Sequence, residues 1–140
     1  MREILFRAKR IDNGEWIEGQ YNQSIKYHFI NKPGMAFTEA QMVDPNTVGQ
    51  YTGLKDKNGI KIFEGDIITK DQYPFIEDGK PNYNGLVELI YGAWEYTLYC
   101  VNKDRHGVSD GINHRLDEGD GGTFFEVIGN KFDNSELLTQ

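Results

Sequence analysis

Catalysis in this chain would have to come from few side chains. It has one cysteine, Cys100, and three histidines, His28, His106 and His114. A zinc site takes clustered Cys or His ligands, and these residues have no such spacing. His106 and His114 share a glycine-punctuated stretch with Asp104, Asp110 and Asp117, residue types that bind metals but define no ligand set here. A nucleophile needs a Ser, Thr or Cys held beside a base. Cys100 instead lies beside apolar neighbours, Leu98 and Val101, and reads as a buried, inert thiol. Glu64 and Asp66 flank Gly65, and two carboxylates can share acid and base duty in glycoside hydrolysis. An Asp at so tight a turn more often accepts hydrogen bonds from its own backbone. Asp56-x-Asn58-Gly59 is similar to part of a calcium loop, but the register puts Leu54 at the first ligand position and Gly65 where a Glu is required. The sequence contains no phosphate loop and no dinucleotide fingerprint. The residues define no catalytic group, no metal and no cofactor, so the expectation is a chain that is not an enzyme.

The remaining chemistry is that of contact. Arg2, Arg7, Lys9 and Arg10 form the one concentrated basic patch. It suits a phosphate or an acidic partner, or the protection of an edge strand from aggregation. Trp94, Tyr96, Leu98 and Cys100 recur at period two and share one face of a strand. Such an aromatic row either enters the core or forms a platform. Residues 103–122 hold five Gly and eight charged side chains. A structureless loop of this length is functional or disordered, and this one buries too little apolar area to offset the entropy of ordering it. It is expected to be the most mobile internal segment unless a partner holds it. Arg105, His106, His114 and Arg115 are its polar anchors; with Trp94 and Tyr96 they are the expected binding residues.

Strands must position these groups. Residues 4–10 alternate, with Ile4, Phe6 and Ala8 on one face. Asp12-Asn13-Gly14 turns the chain, and 15–21 returns as a strand. Residues 25–30 form a third strand, while 36–43 suit either an irregular strand or a helical turn. The block 44–68 organises the rest, with strand-forming runs at 47–51, 60–63 and 66–69. Asn58-Gly59 is a hairpin turn that requires positive φ, and Glu64-Gly65 is a tight reversal. Residues 71–84 read as a loop, carrying Tyr73, Phe75 and Tyr83 to fold back on the body or to bind a partner. Residues 86–90 and 94–101 pair through Tyr91-Gly92-Ala93, and 123–128 is the last strand. Asp133 or Asn134 then caps a short helical turn by accepting from its free N–H groups.

The run VGQYTGLKDKNG at 48–59, followed by IFEGDII at 62–68, resembles the signature of the YopX family, small proteins of phages and prophages in low-GC Gram-positive and other bacteria. FRAK at 6–9, GEWIEG at 14–19 and FFEVIGN at 124–130 are similar to that family too, so the resemblance spans most of the chain. Residues 71–84 and 103–122 carry no family pattern. The resemblance implies a phage-type context and a mainly β fold. It carries over no activity and no catalytic residue.

A length of 140 residues suits one domain, 1–140, with sub-lobes at 1–43 (β-hairpins) and 44–140 (barrel-like). Sixteen Gly and 13% aromatics, with few helical periodicities, favour strands and turns. No apolar run approaches the ~20 residues of a membrane helix. The start, MREILFRAKR, has no apolar signal core. The lone Cys100 suits a reducing compartment, so a cytoplasmic location in the host cell is expected. A net charge of −7 disfavours duplex DNA and anionic membranes. The expected fold is all-β with short helical turns: β-hairpins, plus a small SH3-like, partly open barrel in the C-terminal half with strands at 61–70, 86–91, 94–101 and 123–128. The expected function is a non-enzymatic phage accessory protein that binds a host or phage protein, or itself as a homo-oligomer. The alternative is a small barrel that binds single-stranded nucleic acid through Trp94 and Tyr96 with Arg7, Lys9, Arg105 and Arg115, against which the net charge counts.

Overall fold

The computed structural model describes residues 4–34, 39–102, 105–116 and 124–138. The protein is all-β, built on antiparallel strand pairs. The chain divides into two units, Met1–Gly53 and Leu54–Gln140.

In the N-terminal unit, β1 (Phe6–Lys9) pairs with β2 (Trp16–Ser24), β2 with β3 (Tyr27–Asn31), and β3 with β4 (Gln41–Met42). Just past β4 the chain returns to β1: Val43 bridges Arg10, and the Asp44 N–H donates to Lys9 O at 2.9 Å. The strands thus close on themselves around Ala8, Ile17, Ile30 and Val43. The inward face expected of Ala8 and Phe6 is as read, but Ile4 is exposed and Leu5 buried, so the alternation starts only at Phe6. The pairing of β2 with β3 brings backbones into contact at Gly19, where a Cβ would lie 2.1 Å from Asn31 O and only glycine fits. Residues 25–30 are a strand only from Tyr27 on. Ile25 and Lys26 form the two-residue turn between β2 and β3. The segment 45–47 is a single 3₁₀ turn, started by the Asp44 carboxylate accepting from the Asn46 N–H at 3.0 Å. Then β5 (Gly49–Lys55) takes the same edge of β1 at Phe6 and Arg7 and carries the chain into the next unit.

The C-terminal unit begins with the predicted turn. Gly59 sits at φ 80, and its N–H donates to Asp56 O at 3.0 Å. The Asp56 side chain does more than the sequence suggested. Its Oδ1 accepts from the Asn58 and Ile60 N–H groups, both at 2.9 Å, and its Oδ2 from the Val127 N–H at 3.0 Å. After β6 (Lys61–Phe63) the chain reverses into β7 (Asp66–Thr69), with the buried Asp66 carboxylate accepting from the Phe63 N–H at 2.8 Å. Within 71–84, read as a loop, β8 (Ile76–Glu77) and β9 (Lys80–Pro81) make a small hairpin. Phe75 is buried there and Tyr83 packs on the core, while Tyr73 is exposed. Next come β10 (Tyr83–Ile90) and β11 (Ala93–Cys100), paired along their whole length.

Residues 109–115, expected to lie in a structureless loop, instead form β12 (Ser109–Arg115) on the free edge of β11. Its polar, Gly-broken sequence has no strand signature; the neighbouring edge and the burial of Leu116 decide its conformation. Residues 103–104 and 117–122 of that expected loop lie outside the described residues. Finally, β13 (Glu126–Asn130) pairs with β7. The sheet order is β12-β11-β10-β7-β13; its end strands do not pair with each other among the described residues, so the sheet is open. One face holds Ile62, Ile68, Phe75, Val87, Leu98 and Phe125, and a second cluster gathers Ile67, Leu86 and Leu138. The closing 3₁₀ turn, Ser135–Leu137, takes no side-chain cap from Asn134. Asn134 turns back, and its Oδ1 accepts from the Asn130 N–H at 3.2 Å. No helix among the described residues is long and apolar enough to cross a membrane.

Candidate functional site

The six expected binding residues all fall in the C-terminal unit, and the strands sort them by face. Trp94 and Tyr96 are half-buried against the core. Tyr96 meets Phe125 edge-on, with ring centroids 5.3 Å apart, so one side of this row packs on the core. His114 lies across from Tyr96 and stacks on its ring at 5.1 Å. A bulge opposite Leu98 folds β12 back so that Asp110 Oδ2 lies 2.8 Å from His114 Nε2. Arg115, the next residue along the strand, points to the opposite face, across from Glu95. Arg105 is exposed in the turn after β11, its N–H donating to Asn102 O at 3.2 Å. His106 is half-buried, and its Nδ1 is sealed from solvent with no hydrogen-bond partner among the described residues. The anchors therefore do not share one face. No group of three or more His, Cys, Asp or Glu among the described residues could hold a metal ion, and Asp104 and Asp117 lie outside them.

Two features that the sequence did not single out carry more contact chemistry. The first is a groove of about 450 Å³ in the C-terminal unit. Ile76, Val101, Ile128 and Leu137 supply its apolar lining, and Thr69, Asn84, His106 and Glu136 its polar groups. Only His106 among them was expected to bind. The others come from β7, β10 and the last turn, and no spacing in the sequence links them.

The second is the outer face of the N-terminal unit. Tyr27 and Phe29 point outward from β3, Met42 lies directly across from Phe29, and the Ile11 N–H donates to Met42 O at 3.0 Å. Ile25, at the tip of the β2–β3 hairpin, heads this apolar row; it is 90% exposed. The period-two pattern of 25–30 displays Tyr27 and Phe29 together, but a two-residue turn is ordinarily marked by Gly or Asn, and Ile25-Lys26 gives no such signal. On the same face Trp16 is flanked by Arg7 (Cζ 4.8 Å from the ring centroid) and Lys9 (Nζ 5.5 Å). Residues 1–53 hold six Lys or Arg against six Asp or Glu, whereas 54–140 hold nine against sixteen, so the whole net charge of −7 resides in the C-terminal unit.

Antiparallel sheets in two units define a small all-β protein. The chain belongs to the YopX family: residues 5–139 match the model described as YopX protein. It is also similar to a solved structure, the crystal structure of protein EF1440 from Enterococcus faecalis, with 24% identity over 99% of each chain and a TM-score of 0.53, a likeness of fold alone. None of the curated proteins matches this chain.

Proposed function

We propose that this protein is a non-enzymatic accessory protein of a phage or prophage. It works in the cytoplasm of the host cell as a module that binds a host or phage protein, or a second copy of itself. Membership of the YopX family supports the phage context, through the resemblance described above. The observation that carries the binding role is Ile25. It is a β-branched residue, 90% exposed, at φ 56. Both features disfavour it in an isolated chain, because water penalises its bare surface and the left-handed region strains a β-branched side chain. Exposed Tyr27, Met42 and Ile11 and half-buried Phe29 lie on or beside the neighbouring strands, and exposed apolar surface marks an interaction site.

The test is Ile25→Asn. Asparagine tolerates the same φ, so the variant is expected to gain about 1 kcal/mol of stability. It should at the same time weaken association. Sedimentation over a range of concentrations reads self-association; affinity capture from infected or lysogenic cells, with and without nuclease, reads a partner. A variant that gains stability and still associates at wild-type strength would remove the row from the contact and sink the reading.

The second reading, binding of single-stranded nucleic acid, draws support from Arg7 and Lys9 beside Trp16 in a unit whose charges balance. Oligonucleotide binding that falls steeply with salt and is lost in Trp16→Ala would favour it over the first.

A further inference from the structure

We propose that the groove bordered by β8–β9, the open sheet and the C-terminal turn binds a small organic cation, an amine or amidinium carried on an apolar body. The volume, about 450 Å³, lies within the range of sites that enclose a small molecule. Ile76, Val101, Ile128 and Leu137 would cover a hydrocarbon or aromatic body. The polar groups are few and come from separate elements, as in a site that orients its ligand. Asn84 is only 7% exposed, and its amide N–H donates to Leu137 O at 3.1 Å. That bond fixes the carboxamide and leaves its oxygen to accept. The sealed Nδ1 of His106 has no partner among the described residues, and an unsatisfied buried polar atom calls for an explanation; a ligand that draws the ring to it is one.

The sign of the ligand follows from the lining. Glu136 is the one Asp, Glu, Lys or Arg side chain there. Its carboxylate accepts only, and the Asn84 oxygen and the Thr69 hydroxyl can accept beside it, so a ligand that brings donors matches the lining. The unit around it holds nine basic against sixteen acidic side chains, a field that attracts a cation and repels phosphate or carboxylate. This inference is independent of the role given to Ile25.

Two probes separate the sources of such a cation: benzamidine for a free small molecule, and acetyl-leucyl-lysine amide for a basic side chain on a peptide. Both are titrated into the full chain and followed by two-dimensional amide NMR. At least one is expected to give saturable shifts at Thr69, Asn84, Val101 and Leu137, and the stronger of the two identifies the source. Neutral benzamide should bind more weakly than benzamidine, and benzoate not at all. Glu136 is exposed, so Glu136→Gln should keep the fold and weaken the cation about fivefold. Ile128→Trp, which fills the groove, should abolish saturation. The proposal is overturned if neither cation saturates, if the shifts lie away from the groove, if benzoate matches benzamidine, or if Glu136→Gln leaves the affinity unchanged.

Discussion

Asp56 and Gly59 divide the work of a single turn. Gly59 supplies a φ of 80 that a β-branched residue resists, with nothing within 4 Å of where a Cβ would stand. Gly59→Val should therefore cost roughly 1–2 kcal/mol through backbone strain alone, read as a lower denaturant midpoint at unchanged slope. Asp56 matters more. It is 5% exposed and satisfies three backbone N–H groups, one of them 71 residues away on β13. Asp56→Ala removes the acceptor of three part-buried N–H groups and should cost about 1–3 kcal/mol. Asp56→Asn keeps one oxygen and should cost less, and equal losses for the two would refute the division of roles between the oxygens. At the surface, the side-chain hydrogen bonds from Arg10, Nε to Oδ1 at 3.0 Å and Nη2 to Oδ2 at 2.6 Å, hold the Asp12 carboxyl below its ordinary range. A depressed folded-state pKa means that its small contribution is complete above the ordinary carboxylate range and is lost as pH falls through the depressed value. The NMR titration of Asp12 should move up to the ordinary range in Arg10→Gln.

At the scale of elements, the pairing of β2 with β3 depends on close approach at Gly19. A methyl there meets Asn31 O at 2.1 Å, backbone against backbone, so Gly19→Ala should destabilise by about 1–3 kcal/mol and lower amide protection at Ile17 and Ile30 first. An unchanged melting profile would show that the strands can separate without loss. The hairpins were legible because their information is local. Asn58-Gly59, Asp12-Asn13-Gly14 and the alternation of 94–101 each fix a strand or a turn within a few residues. What was not legible depends on neighbours. The segment 109–115 is a strand because β11 offers an edge, and Asn134 bends back to Asn130 instead of capping its own turn. The groove was hidden for the same reason: Thr69, Asn84 and Glu136 meet through pairing and burial, not through any period in the chain. The aromatic row at Trp94 and Tyr96 suits core or platform by its period alone, and in the structure both rings pack half-buried against the core cluster.

At the scale of the whole molecule, each unit buries apolar residues of its own. The N-terminal unit is centred on Ala8, Ile17, Ile30 and Val43, while the C-terminal unit buries two clusters including Ile68, Val87, Leu98 and Ile67. Less buried apolar surface means a lower free energy of local opening. Native-state hydrogen exchange should therefore show Ile17 and Ile30 exchanging about tenfold or more faster than Val87 and Leu98. Equal protection in the two units would contradict that order. One further property belongs to the whole chain. Cys100 is its single cysteine and has no exposed surface. A cysteine introduced at Ile25, at Glu136 or at any other open position would then be the one thiol that a maleimide reaches, so each surface discussed above can carry a single dye or spin label without first removing a native residue from the core.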